Sequence, residues 1–324
     1  MTSFPALDIA IGLSFVYLLL SLIVTTINEM LAAMLQKRAK FLEQGIAQLV
    51  MDPAITTAIY NHPLIKSLSN EKKDHRPSYI PADKFATALM DVVTGRDNPT
   101  MSVDALRSGA TKATPEFQQA VAALADVSGH DPQVLKKKIE DWFNDGMDRV
   151  SGWYKRNAQK TALILAVIVT LVVNADTMHV VNTLWRDPSI RATLVEQAKA
   201  RTAAQEANPI PMVEYPDPND PTASKPIAVP ADVLTDAEKQ SLNQLTGWAT
   251  EWSRWKESQT SFWSWLDQLL MEHLLGWILT AVALSLGAPF WFDTLNKFMN
   301  LRNTGPAPDK RTTTSTTTEV VSGD

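Results

Sequence analysis

The chain has 324 residues, a formal net charge of -5 and no cysteine. The missing cysteines exclude disulfides, thiolate catalysis and cysteine-ligated metals. The weak acidic balance excludes a general attraction to nucleic acid. The mean hydropathy of -0.10 is that of a soluble protein, but the apolar residues are concentrated in three blocks separated by polar stretches, and these blocks decide the class of protein.

The three apolar blocks predict membrane-spanning helices. Residues 9–28 and 274–292 carry no formal charge over a length that crosses about 30 Å of hydrocarbon, for which roughly 20 helical residues are needed. The middle block, 161–175, is shorter and reaches this length only by continuing through Asp176 to about Trp185. The first block is too long, and lacks the preceding basic residues, for a cleaved secretion signal. The chain is predicted to be mainly α-helical, with spans in segments 1–36, 161–185 and 263–302.

Basic residues beside the spans predict the orientation, because they are retained on the cytoplasmic side of a membrane. The flanks after span one, before span two and after span three are basic, whereas the opposite flanks are poorer in Lys and Arg. We therefore expect the N-terminus outside, 37–160 inside, 186–262 outside and the C-terminus in the cytoplasm. The expected location is the plasma membrane or a bacterial inner membrane.

Tryptophans at both ends of the third span predict its depth. Trp263 and Trp265 lie near its start and Trp291 near its end, and indole rings favour the headgroup level. A helix from Trp265 to Trp291 would extend about 39 Å, close to the 40–45 Å of a bilayer with its interfaces. Pro289 predicts a kink, because it cannot donate to the carbonyl of Ser285. These features indicate one helix with a cytoplasmic exit.

The segment 37–160 is predicted to be a cytoplasmic helical domain. Thr114-Pro115 and Asp131-Pro132 are typical helix starts, and the second opens a long periodic pattern that leads into span two. About four more short helices are expected, including 82–94. Two interpretations of 131–156 remain open: a stalk packed on the domain, or a helix on the membrane surface with Trp142, Phe143 and Trp153 inserted.

The segment 186–262 is predicted to be a smaller outer helical region. Asp187-Pro188 starts a helix that reaches about Ala207, and the Pro-rich stretch 208–230 indicates an extended connector. Thr235-Asp236 starts a second helix, which carries an apolar stripe. Three interpretations of the stripe remain open: it packs on the helix from 188, rests on the membrane surface or binds a protein partner. The stripe consists of Leu245, Trp248, Trp252 and Trp255. The tail 303–324 lacks core-forming residues and is expected to be disordered.

Small and polar residues recur at helical spacing in spans one and three. Such seams let helices approach and form hydrogen bonds where lipid offers none, so both are expected to face protein, either in packing or as the lining of a pore. The seam residues are Ser14, Tyr17, Ser21, Thr25 and Asn28 in span one, and Gly276, Thr280, Ala283 and Gly287 in span three.

Ionisable residues near the spans form two predicted tiers. An ionisable group within a membrane indicates a functional site, although pairing at an interface is the commoner explanation. The predicted inner tier is Glu29, Lys160 and Asp293, and the outer tier is Asp176, His179, Glu272 and His273.

No motif for phosphate, dinucleotide, zinc-helix or serine-hydrolase chemistry is present in the sequence. We therefore expect no cofactor, metal or catalytic residue, no nucleic-acid partner, and contact with the lipid bilayer. The hypothesis is a non-enzymatic membrane scaffold, anchor or transmembrane coupling protein that self-associates and binds an unidentified protein. The alternatives are an oligomeric pore lined by the span-one seam, or a membrane enzyme that uses Glu272, His273 and Asp176.

Overall fold

The computed structural model describes residues 5–69, 76–95, 102–207, 233–258 and 261–304. These residues form helices and no strand, which confirms the mainly α-helical class. The connector 208–230 and residues 305–324 of the tail lie outside the described residues. The helices are α1 Pro5–Met34, α2 Lys37–Val50, α3 Pro53–Asn61, α4 Pro63–Lys66, α5 Ala82–Thr94, α6 Val103–Ala110, α7 Pro115–Val127, α8 Pro132–Val173, α9 Thr177–Arg186, α10 Pro188–Ala207, α11 Asp236–Leu245, α12 Ala249–Ser258, α13 Phe262–Ser285 and α14 Gly287–Thr304.

Three of these helices, α1, α8 and α13, are long and apolar enough to cross a membrane. Each of the three predicted spans thus coincides, over at least part of its length, with a helix that is able to cross a membrane. Large apolar side chains are exposed along one side of α8 and α13, as expected of surfaces that contact lipid. They include Leu163, Ile164, Val167, Ile168 and Val172 of α8, and Met271, Leu274, Leu275, Ile278 and Val282 of α13.

Helices α2, α5 and α7 pack on the first half of α8, and α3, α4 and α6 pack on these helices. Together, α2 to α7 and the first half of α8 form what we call the helical domain. Phe143 of α8 is buried and stacks on Phe85 of α5, with ring centroids 4.2 Å apart. Gly45 of α2 lies so close to Val150 that a Cβ atom at Gly45 would be 2.2 Å from its side chain. The apolar face of residues 131–156 is therefore packed on this domain, as the stalk interpretation expects. Among the described residues, six helices of the domain precede α8, where the sequence predicts the helix from Thr114-Pro115 and about four more.

Helix α8 runs without interruption from Pro132 to Val173, and it differs at its end from the prediction of one helix through 161–185. Asn174 adopts a left-handed conformation with φ 50°, which asparagine tolerates better than most residues. The Asp176 side chain then caps the separate helix α9. The left-handed Asn174 and the capping Asp176 therefore end the helix, although the apolar block continues beyond them.

Helix α1 is the central helix of the bundle that contains the three long apolar helices, and α8 runs antiparallel to it. The Lys37 Nζ, just after α1, donates to the Thr161 Oγ1 at 3.0 Å. Nearer the other end of α1, the Tyr17 hydroxyl and the Thr177 Oγ1 are 2.8 Å apart. Most of the middle of α1 is buried, because α8, α9, α10, α13 and α14 surround it.

Helix α14 turns back along α1, which corrects the prediction of one continuous helix through 263–302. Gly287, with φ 83°, separates α13 from α14. The Trp291 ring lies 4.5 Å from the Tyr17 ring, and the Arg302 Nε lies 3.4 Å from the Asp8 carboxylate. The end of α14 is thus beside the start of α1. A glycine in the left-handed region permits a reversal at this point, whereas the proline alone predicts only a kink.

The helix predicted from Thr235 is divided in two. Thr235 and Glu238 form a reciprocal capping box at the start of α11, and α11 ends at Leu245. Gly247 has φ 121°, and α12 begins two residues later. The apolar stripe is therefore not on one helix. Trp248 packs instead at the end of α8, where its Nε1 lies 3.1 Å from the carbonyl oxygens of Leu171 and Val172.

Candidate functional site

The end of α8 remote from the helical domain, which we call the distal end, gathers five ionisable side chains. They come from three parts of the chain: the turn after α8, helix α12 and the first half of α13. We call them the junction cluster, and they are Asp176, Glu251, Arg254, Glu272 and His273.

Asp176 is positioned by its role as a helix cap. Its Oδ1 accepts hydrogen bonds from the backbone nitrogens of Met178 at 2.7 Å and His179 at 3.3 Å. An aspartate at this position satisfies backbone donors that the first turn of a helix leaves free. Its Oδ2 remains available and lies 2.6 Å from the Nδ1 of His273. One carboxylate therefore both starts α9 and orients the imidazole on α13.

Gly276 allows Asp176 to reach this position. A Cβ atom at Gly276 would lie 1.7 Å from the Asp176 Oδ1, which is far inside van der Waals contact. His273 is on the same face of α13, three residues earlier. The small residue that the sequence pattern assigned to a helix-packing seam thus faces a carboxylate at this level of the helix.

The two glutamates of the junction cluster share one arginine. Arg254 Nη1 lies 2.7 Å from a Glu272 carboxylate oxygen and 3.4 Å from a Glu251 carboxylate oxygen. Glu251 is 6% exposed, whereas Glu272 and Arg254 are partly open to solvent. The single guanidinium of Arg254 cannot neutralise the carboxylates of two glutamates and Asp176, so the cluster as a whole carries a net negative charge.

The second ring nitrogen of His273 faces these carboxylates. Its Nε2 is buried, makes no hydrogen bond to any described residue, and lies 3.5 Å from the nearest Glu251 oxygen. The Trp277 ring stacks on the imidazole at 5.5 Å, and its Nε1 donates to the Asn174 side chain at 2.9 Å. If Nδ1 carries the proton that Asp176 accepts, the lone pair of Nε2 points at the glutamates.

A chain of hydroxyl groups lies one turn further along α13. The Thr280 Oγ1 donates to the carbonyl of Gly276 at 2.9 Å and accepts from the backbone nitrogen of Thr177 at 3.1 Å. Only the Thr177 Oγ1 can then donate across the 2.8 Å that separate the two threonine hydroxyls. The Tyr17 hydroxyl donates to the Thr177 Oγ1 in turn. These bonds join α1, α9 and α13 without an ionised group.

The seam residues of span one lie mostly inside the protein. Ser14, Ser21 and Asn28 are buried along with Tyr17, and Thr25 is partly buried. Of the span-three seam, Gly276, Thr280 and Ala283 are buried, whereas Gly287 forms the turn before α14.

The predicted tiers of ionisable residues are only partly brought together. Of the outer tier, Asp176, Glu272 and His273 join the junction cluster, but the His179 side chain is exposed.

The predicted inner tier is not assembled. Glu29 pairs with Arg38 at 3.5 Å, and Lys160 is exposed. Asp293 is two residues from Trp291, which packs on Tyr17. That level of α1 is about 18 Å from Glu29 along the helix axis, at 1.5 Å per residue. The reversal at Gly287 explains the separation.

The three tryptophans predicted to lie at the membrane interfaces have different environments. Trp263 is 74% exposed, and Trp265 lies 5.8 Å from Trp255, between ring centroids. Trp291 is packed between helices, where its Nε1 donates to the Ala283 carbonyl at 2.6 Å. The two aromatic belts therefore do not mark the ends of one straight helix.

Sequence reasoning missed Glu251 and Arg254. Both lie on α12 among the tryptophans of the apolar stripe. In the sequence they resemble an ordinary ion pair, because residues three apart are neighbours on the surface of a helix. The signal that was available is the tryptophan-rich context, in which a charged pair is less expected than on a solvated face.

The chain has no match among family models, curated proteins or solved structures. The fold and the junction cluster thus define a class: a helical protein with three helices able to cross a membrane and a polar cluster where α9, α12 and α13 meet. We call these three helices the distal helices.

Proposed function

We propose that the protein is a non-enzymatic membrane coupling protein, in which α8 connects the helical domain to the junction cluster across the membrane. The observation that carries the proposal is the continuity of α8 over 42 residues, about 63 Å at 1.5 Å per residue. One end of this helix belongs to the core of the helical domain. The other end is held by the distal helices.

Contacts at both ends of α8 support this proposal. In the helical domain, Leu135, Ile139 and Phe143 are almost fully buried. At the distal end, the Trp248 side chain donates to α8 carbonyls, and the Asn174 side chain donates to the Gly247 carbonyl at 3.1 Å. Close-packed interiors transmit displacement because they compress little. A shift of α12 or α13 would therefore move α8 relative to its partners in the helical domain.

The orientation that we propose places the helical domain in the cytoplasm of a plasma membrane or bacterial inner membrane. It rests on the basic residues where α1 and α8 meet this domain, since such residues are retained inside. The N-terminus and the distal end are then outside. Because α14 returns toward Asp8, we place its C-terminal end outside as well, in place of the cytoplasmic C-terminus expected from the sequence. The basic residues are Lys37, Arg38, Lys40, Lys155, Arg156 and Lys160.

Self-association and a protein partner remain part of the proposal. The mass of the intact particle, purified in a mild detergent, gives the stoichiometry, and co-eluting chains identify partners. A pore lined by the span-one seam is not favoured, because Ser14, Tyr17 and Ser21 are buried inside one copy of the chain. Unitary conductance in a planar bilayer that Ser21→Leu abolishes would contradict this judgement.

Hydrogen–deuterium exchange in the detergent-solubilised full chain tests the coupling. Trp248→Phe removes the indole donor to the end of α8, and we expect faster exchange at the α5–α8 contact in the helical domain. Trp252→Phe is the matched control, because Trp252 is on α12 and 51% exposed. Unchanged exchange in the helical domain of Trp248→Phe, together with faster exchange at the distal end, would overturn the proposal.

A further inference from the structure

We infer that the junction cluster is a binding site for one divalent transition-metal ion of the zinc type, held by His273, Glu251 and Glu272. Asp176 orients the histidine and does not itself bind the ion. This inference is independent of the coupling function. It also goes against the sequence-based expectation of no metal site.

The spacing of the three side chains suits a common ion. One ligand atom from each of Glu251, Glu272 and His273 lies within 4.8 Å of the other two. Zinc bonds to nitrogen and oxygen are about 2.0–2.2 Å long, so two ligands of a tetrahedral ion are about 3.3–3.6 Å apart. The separation of 3.5 Å between the His273 Nε2 and the Glu251 oxygen falls in this range. Small side-chain movements would bring the third ligand into place.

The hydrogen bonding of His273 is that of a metal ligand. A histidine that binds a metal usually donates its other ring N–H to a carboxylate, which fixes the tautomer and the ring orientation. The 2.6 Å contact between the Asp176 Oδ2 and the His273 Nδ1 provides this bond. The opposite nitrogen, Nε2, is buried without a hydrogen-bond partner among the described residues. An unsatisfied buried acceptor is unfavourable, and a metal ion would satisfy it.

The charge of the cluster also suits a divalent cation. Three carboxylates face one guanidinium, which leaves two negative charges uncompensated when His273 is neutral. Uncompensated charge is costly for the two buried carboxylates of the cluster, Asp176 and Glu251. Arg254 contacts the Oε2 atoms of both glutamates, so the Oε1 of Glu251 remains directed at His273. The Oε1 of Glu272 accepts from Gln268 at 3.1 Å.

The donor set favours zinc over magnesium. An imidazole nitrogen with two carboxylates suits zinc and its first-row neighbours, whereas magnesium prefers oxygen ligands alone. Three protein ligands leave a fourth tetrahedral position to water or to an exogenous ligand.

Titration of the purified full chain in detergent with Zn²⁺ tests the inference. After treatment with a chelator, wild type is expected to bind one Zn²⁺ per chain by calorimetry and by elemental analysis of the desalted protein. Glu272→Gln and His273→Gln are expected to weaken binding more than 10-fold. Asp176→Asn is expected to weaken it about 10- to 100-fold, which is typical of outer-shell partners. Glu257→Gln, an exposed change on α12, is the matched control and should bind as wild type does.

Two results would overturn the inference. If wild type takes up no Zn²⁺, the junction cluster is a network of ion pairs and hydrogen bonds only. If the Glu272→Gln and His273→Gln variants bind as tightly as wild type, the uptake occurs elsewhere on the chain. Glu272 is about half exposed, so its variant reports on the site even if His273→Gln does not fold.

Discussion

Single residues determine how closely the distal helices approach. One contact of this kind is centred on Asp176, which caps α9, packs against the bare backbone of Gly276 and lies within hydrogen-bond distance of the His273 ring. The position of each of these residues depends on the other two. The sequence places Asp176 and His273 near the same membrane surface, and it predicts a small-residue seam through Gly276. It does not indicate that the carboxylate and the glycine meet, because that requires the break between α8 and α9 at Asn174.

Gly276→Ala is expected to destabilise the protein by about 1–3 kcal/mol, the usual range for overpacking. The added methyl would displace the Asp176 carboxylate from its hydrogen bonds to Met178 and His273, because all three atoms nearest to it belong to the Asp176 side chain. Thermal or denaturant unfolding in detergent measures the change. Gly152→Ala on α8 is the matched control: its Cβ would meet only ordinary contacts, and alanine favours a helix by about 0.5–1 kcal/mol.

Asp52 gives the helical domain a pH-dependent contribution to stability. Burial by itself would raise the pKa of this carboxyl group, but hydrogen bonds from the backbone nitrogens of Ile55, Thr114 and Ala54 outweigh it, and the pKa is lowered. A lowered pKa means that the contribution is present above the unfolded value of about 3.9 and is lost as the pH falls through the folded pKa.

The stability difference between wild type and Asp52→Asn should therefore be largest near neutral pH and shrink below about pH 4. Denaturant unfolding followed by circular dichroism at several pH values measures it. Asp104→Asn is the control, because this side chain is 80% exposed and its effect should vary little with pH. A difference for Asp52→Asn that stays constant through the acidic range would contradict the assignment.

At the scale of helices, starts were easier to predict than ends. Thr114-Pro115, Asp131-Pro132 and Asp187-Pro188 all begin helices in the structure, because caps and prolines act through neighbouring atoms. The breaks at Asn174, Gly247 and Gly287 were missed. Each depends on a left-handed residue, and whether such a residue interrupts a helix is decided by packing. Gly146, by contrast, lies within the uninterrupted helix α8 and packs against Leu49.

Gly287→Ala tests the turn between α13 and α14. An alanine at φ 83° would be strained by about 1–2 kcal/mol, so the variant should unfold more readily in detergent. Ser285→Ala is the control, since its hydroxyl donates to the Val282 carbonyl at 2.7 Å within the same helix and its loss should matter less. Equal stability of Gly287→Ala and wild type would show that the reversal does not need a left-handed residue.

At the scale of the whole molecule, the return of α14 determines where the last described residues lie. The charge rule considers each flank separately, and it assigned the residues after span three to the cytoplasm. The contact between Asp8 and Arg302 instead places the end of α14 beside the start of α1. The described chain thus begins and ends on the side opposite the helical domain.

Single-cysteine labelling tests this arrangement, and the cysteine-free sequence provides the background. Ala6→Cys and Leu301→Cys, both at exposed positions, should react with an impermeant maleimide added to intact cells. Lys40→Cys, at an exposed position on helix α2 of the helical domain, should react only after the membrane is permeabilised. Labelling of Leu301→Cys together with Lys40→Cys would show that α14 does not return.

The amino-acid sequence by itself determined the helical class, the three apolar helices and most helix starts, because length, apolar composition and capping act over a few residues. The tertiary structure decided the packing of residues 131–156 on the helical domain, the reversal at Gly287 and the assembly of the junction cluster. These features join segments that are distant in the chain, such as Glu251 with His273 and Asp8 with Arg302. Local patterns carry no information about such pairs, since their proximity depends on the packing of every helix between them.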